Sequence, residues 1–74
     1  MKVKVHNWWS AGKQFEALGL EQNQEMDLDE EGLKTLAFRF FNSGADVMLR
    51  RYEDRPDRPG FVMLAASTRG FGQH

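Results

Sequence analysis

The sequence predicts a small α+β domain, and three observations support this prediction. Residues 29–44 carry apolar side chains at helical spacing, residues 1–9 alternate apolar and polar side chains as a strand does, and residues 61–66 are apolar at every position. With a short helix over residues 11–18 and one more strand, the element order is β-α-α-β-β. We therefore expect a three-stranded antiparallel sheet with the main helix and the short helix packed on one face.

The main helix is the best-defined element of the sequence. Its apolar stripe consists of Leu33, Leu36, Ala37 and Phe40. These positions follow the i, i+3, i+4, i+7 spacing that places side chains on one side of a helix. Asp29 is expected to cap the first turn, and Gly44 to end the helix in the left-handed conformation. Phe38 lies off the stripe, so its ring is either covered by a neighbouring segment or exposed as a contact residue.

The first strand is predicted from the alternation in residues 1–9. Val3 and Val5 would face the core, while Lys2, Lys4 and His6 would face away from it. Successive side chains of a strand point to opposite sides, so one of two adjacent tryptophans, Trp8 and Trp9, would enter the core and the other would need a cover or a partner.

The short helix is expected to begin at a capping Ser10 and to end at Gly19. The polar residues 21–26 are then expected to form an exposed connector or a frayed extension of the helix, because they show no apolar period. No feature of this first half marks a domain boundary.

The second half of the chain predicts two strands joined as a hairpin. Residues 45–53 alternate, so that Val47 and Leu49 would face the helix. The loop over residues 53–60 contains both prolines, and the apolar strand after it is expected to be central. Residues 68–74 form a glycine-containing tail that is predicted to be loose, and residues 1–74 are expected to form one domain.

The charges are strongly segregated along the chain, although the formal net charge is only −1. Seven of the eleven acidic residues, and no Lys or Arg, lie between Lys13 and Lys34. The ten basic residues lie at those two lysines or outside them. A chain with this pattern is expected to fold into a molecule with an acidic side and a basic side.

The residues that catalysis requires are mostly missing, so we expect a protein that is not an enzyme. The chain has no Cys, and its two histidines lie far apart in the sequence, which gives no zinc spacing. The acidic residues do not follow an EF-hand pattern, and no cofactor or metal is expected. No apolar run is long enough to span a membrane, and the N-terminus lacks a signal peptide, so a cytoplasmic protein is expected.

The charge pattern favours a module that binds another protein, one with a basic surface. The candidate contact residues are Glu21, Glu25, Asp27, Asp29, Glu30, Glu31, Phe38, Trp8 and Trp9. A dense run of carboxylates on a small domain can occupy a basic groove and exclude its natural ligand, as a small inhibitor does. Anti-CRISPR proteins of phages are similar in size and often use such surfaces, so this inhibitor class is an analogy for the chain.

Two alternatives remain open. The chain is instead a weak nucleic-acid-binding domain if the outer face of the sheet carries the function, because that face would combine basic and aromatic side chains. The residues of this alternative site are Lys2, Lys4, Arg50, Arg51 and Tyr52. The chain could also form a homodimer through the open face of the sheet or through an edge strand.

Overall fold

The protein is described by a computed structural model over residues 1–72. In chain order the elements are β1 (Lys2–Trp9), α1 (Gly12–Ala17), β2 (Glu25–Asp27), α2 (Glu30–Asn42), β3 (Asp46–Tyr52) and β4 (Phe61–Ser67). The small α+β class and both helices are as predicted. The three-stranded antiparallel sheet was wrong, because within the described residues the sheet has four strands and is mixed.

The strands lie in the order β2-β1-β4-β3. β4 pairs antiparallel with β3, as the predicted hairpin requires, and it lies inside the sheet, as its apolar sequence indicates. β1 runs parallel to β4, with Val3 opposite Val62 and Val5 opposite Leu64. Parallel neighbours need a long crossover, and here the crossover contains both helices, β2 and β3. The apolar β1 and β4 are therefore the two inner strands.

β2 is the strand that the sequence did not predict. It has only three residues, of which Met26 faces the helices, and it pairs antiparallel with β1. Residues 21–26 were predicted to be a connector because so short a strand shows no readable alternation. β2 forms only because β1 offers it a free edge.

One hydrophobic core lies between the sheet and the two helices. The largest fully buried apolar side chains are those of Phe40, Leu33, Leu64, Val3 and Val5. Phe15 of α1 packs on Phe40 of α2, with 5.1 Å between ring centroids, so both helices cover the same face of the sheet. The opposite face of the sheet is not covered by a helix.

Side-chain hydrogen bonds at the N-termini of α1 and α2 show how each helix begins. Asp29 caps α2 as predicted, since its carboxylate accepts a hydrogen bond of 2.7 Å from the Gly32 amide. The cap predicted for α1 was wrong. Ser10 has a φ of 55° and makes no capping bond; instead the side-chain oxygen of Asn7 accepts from the Ala11 amide at 2.9 Å.

The described part of the C-terminal tail makes several contacts. The Thr68 amide donates to the Trp9 carbonyl, and the Thr68 hydroxyl donates to the Ser10 carbonyl. The Phe71 ring lies 5.8 Å from the Trp8 ring. Residues 73 and 74 of the predicted loose tail lie outside the described residues.

Candidate interaction surfaces

The stretch between Lys13 and Lys34, with its seven acidic residues, is called the acidic segment. Most of its carboxylates have partners within the chain. Asp27 pairs with the N-terminal ammonium at 3.0 Å, and Glu25 pairs with Lys4 at 3.8 Å. Glu30 pairs with Arg51 at 3.1 Å. The fold therefore interleaves the two charge blocks of the sequence.

The six acidic candidate residues do not form one continuous surface. Glu25 and Asp27 lie on the open face of the sheet, opposite Lys4 and Lys2 of β1. Asp29 is used as the cap of α2, and the other acids of that region, Glu30 and Glu31, begin the helix on the opposite side of the sheet. Glu21 lies in the exposed turn before β2.

The two tryptophans do not enter the core, so the prediction that one of them would do so was wrong. Both are exposed, and a register shift in the pairing of β1 with β4 occurs between Asn7 and Trp9. Trp8 packs beside His6 and Phe71, with ring centroids 6.3 Å and 5.8 Å away. The Arg69 guanidinium lies 5.5 Å from the centre of the Trp9 ring. Phe38, the third aromatic candidate, lies on α2.

The open face of the sheet carries an aromatic stack flanked by cations. Tyr52 and Phe61 are directly opposite each other on β3 and β4, and their rings stack at 4.7 Å with an angle of 15°. The Lys4 ammonium lies 5.0 Å from the centre of the Phe61 ring, and the Arg50 guanidinium lies 5.8 Å from the centre of the Tyr52 ring. Of the residues predicted for nucleic-acid binding, Arg51 is the exception, because it shares the helix-covered face with Val62 and pairs with Glu30.

A third surface lies where the outer side of α2 meets the edge strand β3, and we call it the α2–β3 patch. It is a shallow groove of about 360 Å³ lined by Lys34, Ala37, Phe38, Phe41, Val47 and Leu49. Its three large apolar side chains are strongly exposed, at 65% for Phe38, 62% for Phe41 and 47% for Leu49. These are half of the large apolar side chains that are exposed in residues 1–72. Contiguous apolar patches are uncommon on monomeric soluble proteins, so the α2–β3 patch is a candidate interaction surface.

Local structure explains how the α2–β3 patch arises. Successive helical residues are about 100° apart, so Phe40 points into the core while Phe38 and Phe41 point away from it on the side of β3. Leu49 lies opposite Leu64 on the helix-covered face, but β3 is the edge strand and α2 covers it only partly. Sequence reasoning proposed Phe38 as a contact residue but missed Phe41 and Leu49. Phe41 adjoins the apolar stripe of the helix, and Leu49 fits the alternation of a buried strand, so both have the pattern of core residues.

No group of three potential metal ligands occurs within residues 1–72. A hollow of about 650 Å³ at the end of the sheet, beside Tyr52 and Phe61, is wide open to solvent. No helix of the described chain is long and apolar enough to cross a membrane.

Comparison of the chain with protein-family models, with curated proteins and with solved structures gave no match.

Proposed function

We propose that the chain is a non-enzymatic protein-binding module whose contact surface is the α2–β3 patch. The observation that carries this proposal is the convergence of Phe38, Phe41 and Leu49 on one groove. Burial of a large apolar side chain contributes about 1.5–3 kcal/mol relative to leaving it exposed. Three such side chains left in water at one place represent free energy that a partner can recover.

The edge of the sheet indicates how the partner binds. β3 pairs with β4 on one side only, so its other edge presents backbone N–H and C=O groups to an added strand. An extended segment of another polypeptide that pairs with β3 would carry alternate side chains over the groove. The partner we propose is therefore a strand with apolar residues at every second position.

The acidic segment contributes less to this proposal than its sequence indicates. The carboxylates of Asp27, Glu25 and Glu30 already have cationic partners, and Asp29 is engaged in capping. A partner with a basic surface would have to compete with these contacts. The inhibitor class, including the analogy to anti-CRISPR proteins, stays a prediction.

The test is a pull-down in which three tagged forms of the protein serve as baits. The lysate is prepared from the native host, treated with nuclease, and supplemented with an untagged copy of the chain. The baits are the unchanged protein, Leu49→Lys in the α2–β3 patch, and Glu31→Lys in the acidic segment. Leu49→Lys places a charge in the groove, so we expect it to lose a polypeptide that the unchanged protein and Glu31→Lys both retain. Melting temperatures of the three proteins verify that each is folded.

Two outcomes would contradict the proposal. If Leu49→Lys still retains the polypeptide, the groove is not the contact surface. If Glu31→Lys loses the polypeptide instead, the contact surface is the acidic segment, as the charge pattern of the sequence predicts.

A second candidate function is the binding of single-stranded nucleic acid by the open face of the sheet. It is favoured by the stack of Tyr52 on Phe61 with Lys4 and Arg50 beside the rings, because such rings stack on bases while cations contact phosphates. We rank it below protein binding because Lys4 is also paired with Glu25 at 3.8 Å, so part of the positive charge is neutralised.

Fluorescence anisotropy with a labelled oligothymidine tests this second function. If it holds, Tyr52→Ala weakens binding by about 1–3 kcal/mol through the loss of base stacking. Arg51→Ala is the matched control, since its side chain lies on the helix-covered face. Absence of binding at low salt, or equal losses in the two variants, would eliminate the open face as a nucleic-acid site.

A further inference from the structure

We infer that the strand that adds to β3 is β3 of a second copy of this chain, running antiparallel with Met48 on the twofold axis. This inference rests on the proposed function, because it names the partner of the same α2–β3 patch.

The geometry of a twofold pair limits the registers. In an isologous dimer each residue contacts its counterpart, so antiparallel strands pair symmetrically about one central residue. Residues directly opposite each other point to the same face, which places α2 of both copies on one side of the joined sheet. The two α2–β3 patches then lie next to each other across the axis.

Centring the pair on Met48 makes residues 46–50 of the two strands complementary. Asp46 lies opposite Arg50 of the second copy on the open face, and this contact occurs twice. Val47 lies opposite Leu49 of the second copy on the helix-covered face, also twice. Opposite charges and apolar pairs at such positions each contribute about 0.2–1 kcal/mol. Met48 meets its own counterpart at the centre.

The neighbouring registers are less favourable. Centring on Arg50 or Arg51 places like charges directly opposite each other, which is destabilising. Centring on Leu49 places Val47 opposite Arg51, whose guanidinium already bonds Glu30. Centring on Val47 leaves only three β3 residues to pair, because the strand begins at Asp46.

The rings of α2 complete the interface. Phe38 and Phe41 project from α2 over Val47 and Leu49, and the same four side chains approach from the second copy. The joined strands form the floor of this apolar cluster and the two α2 helices form its walls. Association removes the four rings from water, and these are the most exposed of the large apolar side chains in the described monomer.

The absence of cysteine from the chain provides a direct test of the register. A single cysteine can form a disulfide only with another copy. Met48→Cys places the two thiols opposite each other at the axis, where Cβ atoms are about 4.5–5.5 Å apart. In Arg50→Cys each thiol lies opposite Asp46 of the second copy, so the two thiols are four residues apart along the strands, about 14 Å, and cannot meet. Under mild oxidation we expect several-fold more covalent dimer from Met48→Cys than from Arg50→Cys or Leu49→Cys.

A charge exchange tests the same register without cysteine. Asp46→Arg and Arg50→Asp should each raise the dissociation constant of the dimer about tenfold, since each creates two like-charge contacts. The double variant restores opposite charges at both positions, so its dissociation constant should return to the original value. Sedimentation equilibrium measures all three, and circular dichroism verifies the fold.

The inference and the proposed function can fail separately. A protein that remains monomeric at every concentration, or that cross-links better through Leu49→Cys than through Met48→Cys, overturns the inference. If Leu49→Lys nevertheless loses a different captured polypeptide, the proposed function stands with that polypeptide as partner. If Leu49→Lys alters neither dimerisation nor capture, both fail.

Discussion

The two edges of the sheet differ in length and in chemistry. β2 has three residues, and its charged side chains lie opposite lysines of β1, with Glu25 across from Lys4 and Asp27 across from Lys2. β3 has seven residues and lies beside the exposed rings of α2. Short strands and charges are common means by which proteins prevent pairing at an edge. The β2 edge is therefore protected in the monomer by its shortness and its charges, whereas β3 is long and its charges on the open face, Asp46 and Arg50, are opposite in sign.

This difference supports the proposal that the β3 edge binds a partner. A protein of 74 residues has a small core, and it has little surplus stability with which to tolerate unfavourable exposure. Protection of one edge and exposure of the other is expected if the second edge is used in binding.

The largest effect is expected where α2 faces the core beside β3. Phe40→Ala should lower the free energy of unfolding by about 3–5 kcal/mol, because it removes a fully buried ring and leaves a cavity against Phe15. Urea denaturation measures this loss. The matched control is Phe41→Ala, one residue further along the helix, for which we expect less than about 0.5 kcal/mol at protein concentrations low enough for the chain to be monomeric. Equal losses would mean that Phe41 is a core residue and that the β3 edge is covered in solution.

An intermediate effect is expected at the junction between β2 and α2. Asp29→Ala should cost about 1 kcal/mol, because the Gly32 amide loses the carboxylate that caps the helix. Thermal unfolding compares it with Glu31→Ala, which removes a carboxylate two residues later without removing the cap. A loss in Glu31→Ala as large as that in Asp29→Ala would assign the effect to helix-dipole electrostatics rather than to capping.

The smallest effect is expected within the β2 edge itself. The coupling energy between Lys4 and Glu25, measured by a double-mutant cycle of the two alanine variants, should be about 0.2–1 kcal/mol, because both side chains are partly exposed to solvent. We therefore expect the pair to discourage strand addition more than to stabilise the fold. A coupling well above 1 kcal/mol would show instead that the charges of β2 are needed for folding.

The α2 helix illustrates what could be read from the sequence. Its apolar stripe, its Asp29 cap and its left-handed Gly44, with a φ of 97°, all follow from local spacing and were predicted correctly. The outward direction of Lys4 and Arg50 also follows from strand alternation. These features depend on residues fewer than five positions apart, and such local rules act wherever the segment lies in the fold.

The candidate surface was only partly predictable. Phe38 was identified because it lies off the helical stripe, but Leu49 has the alternation of a buried strand residue. Its exposure depends on β3 being an edge strand, and this in turn depends on β1 pairing with β4. The sequence shows the charge of Glu30, but it does not show that Glu30 pairs with Arg51, which is 21 residues away.

The sequence by itself thus determined the two helices, the three longer strands and the face on which most strand side chains lie, because hydrophobic period and capping are local. Only the tertiary structure decided the fourth strand, the parallel pairing of β1 with β4, the dispersal of the acidic segment and the exposure of the α2–β3 patch. Each of these depends on which distant segments become neighbours. That choice is made by burial of the whole apolar surface at once, and no single segment specifies it.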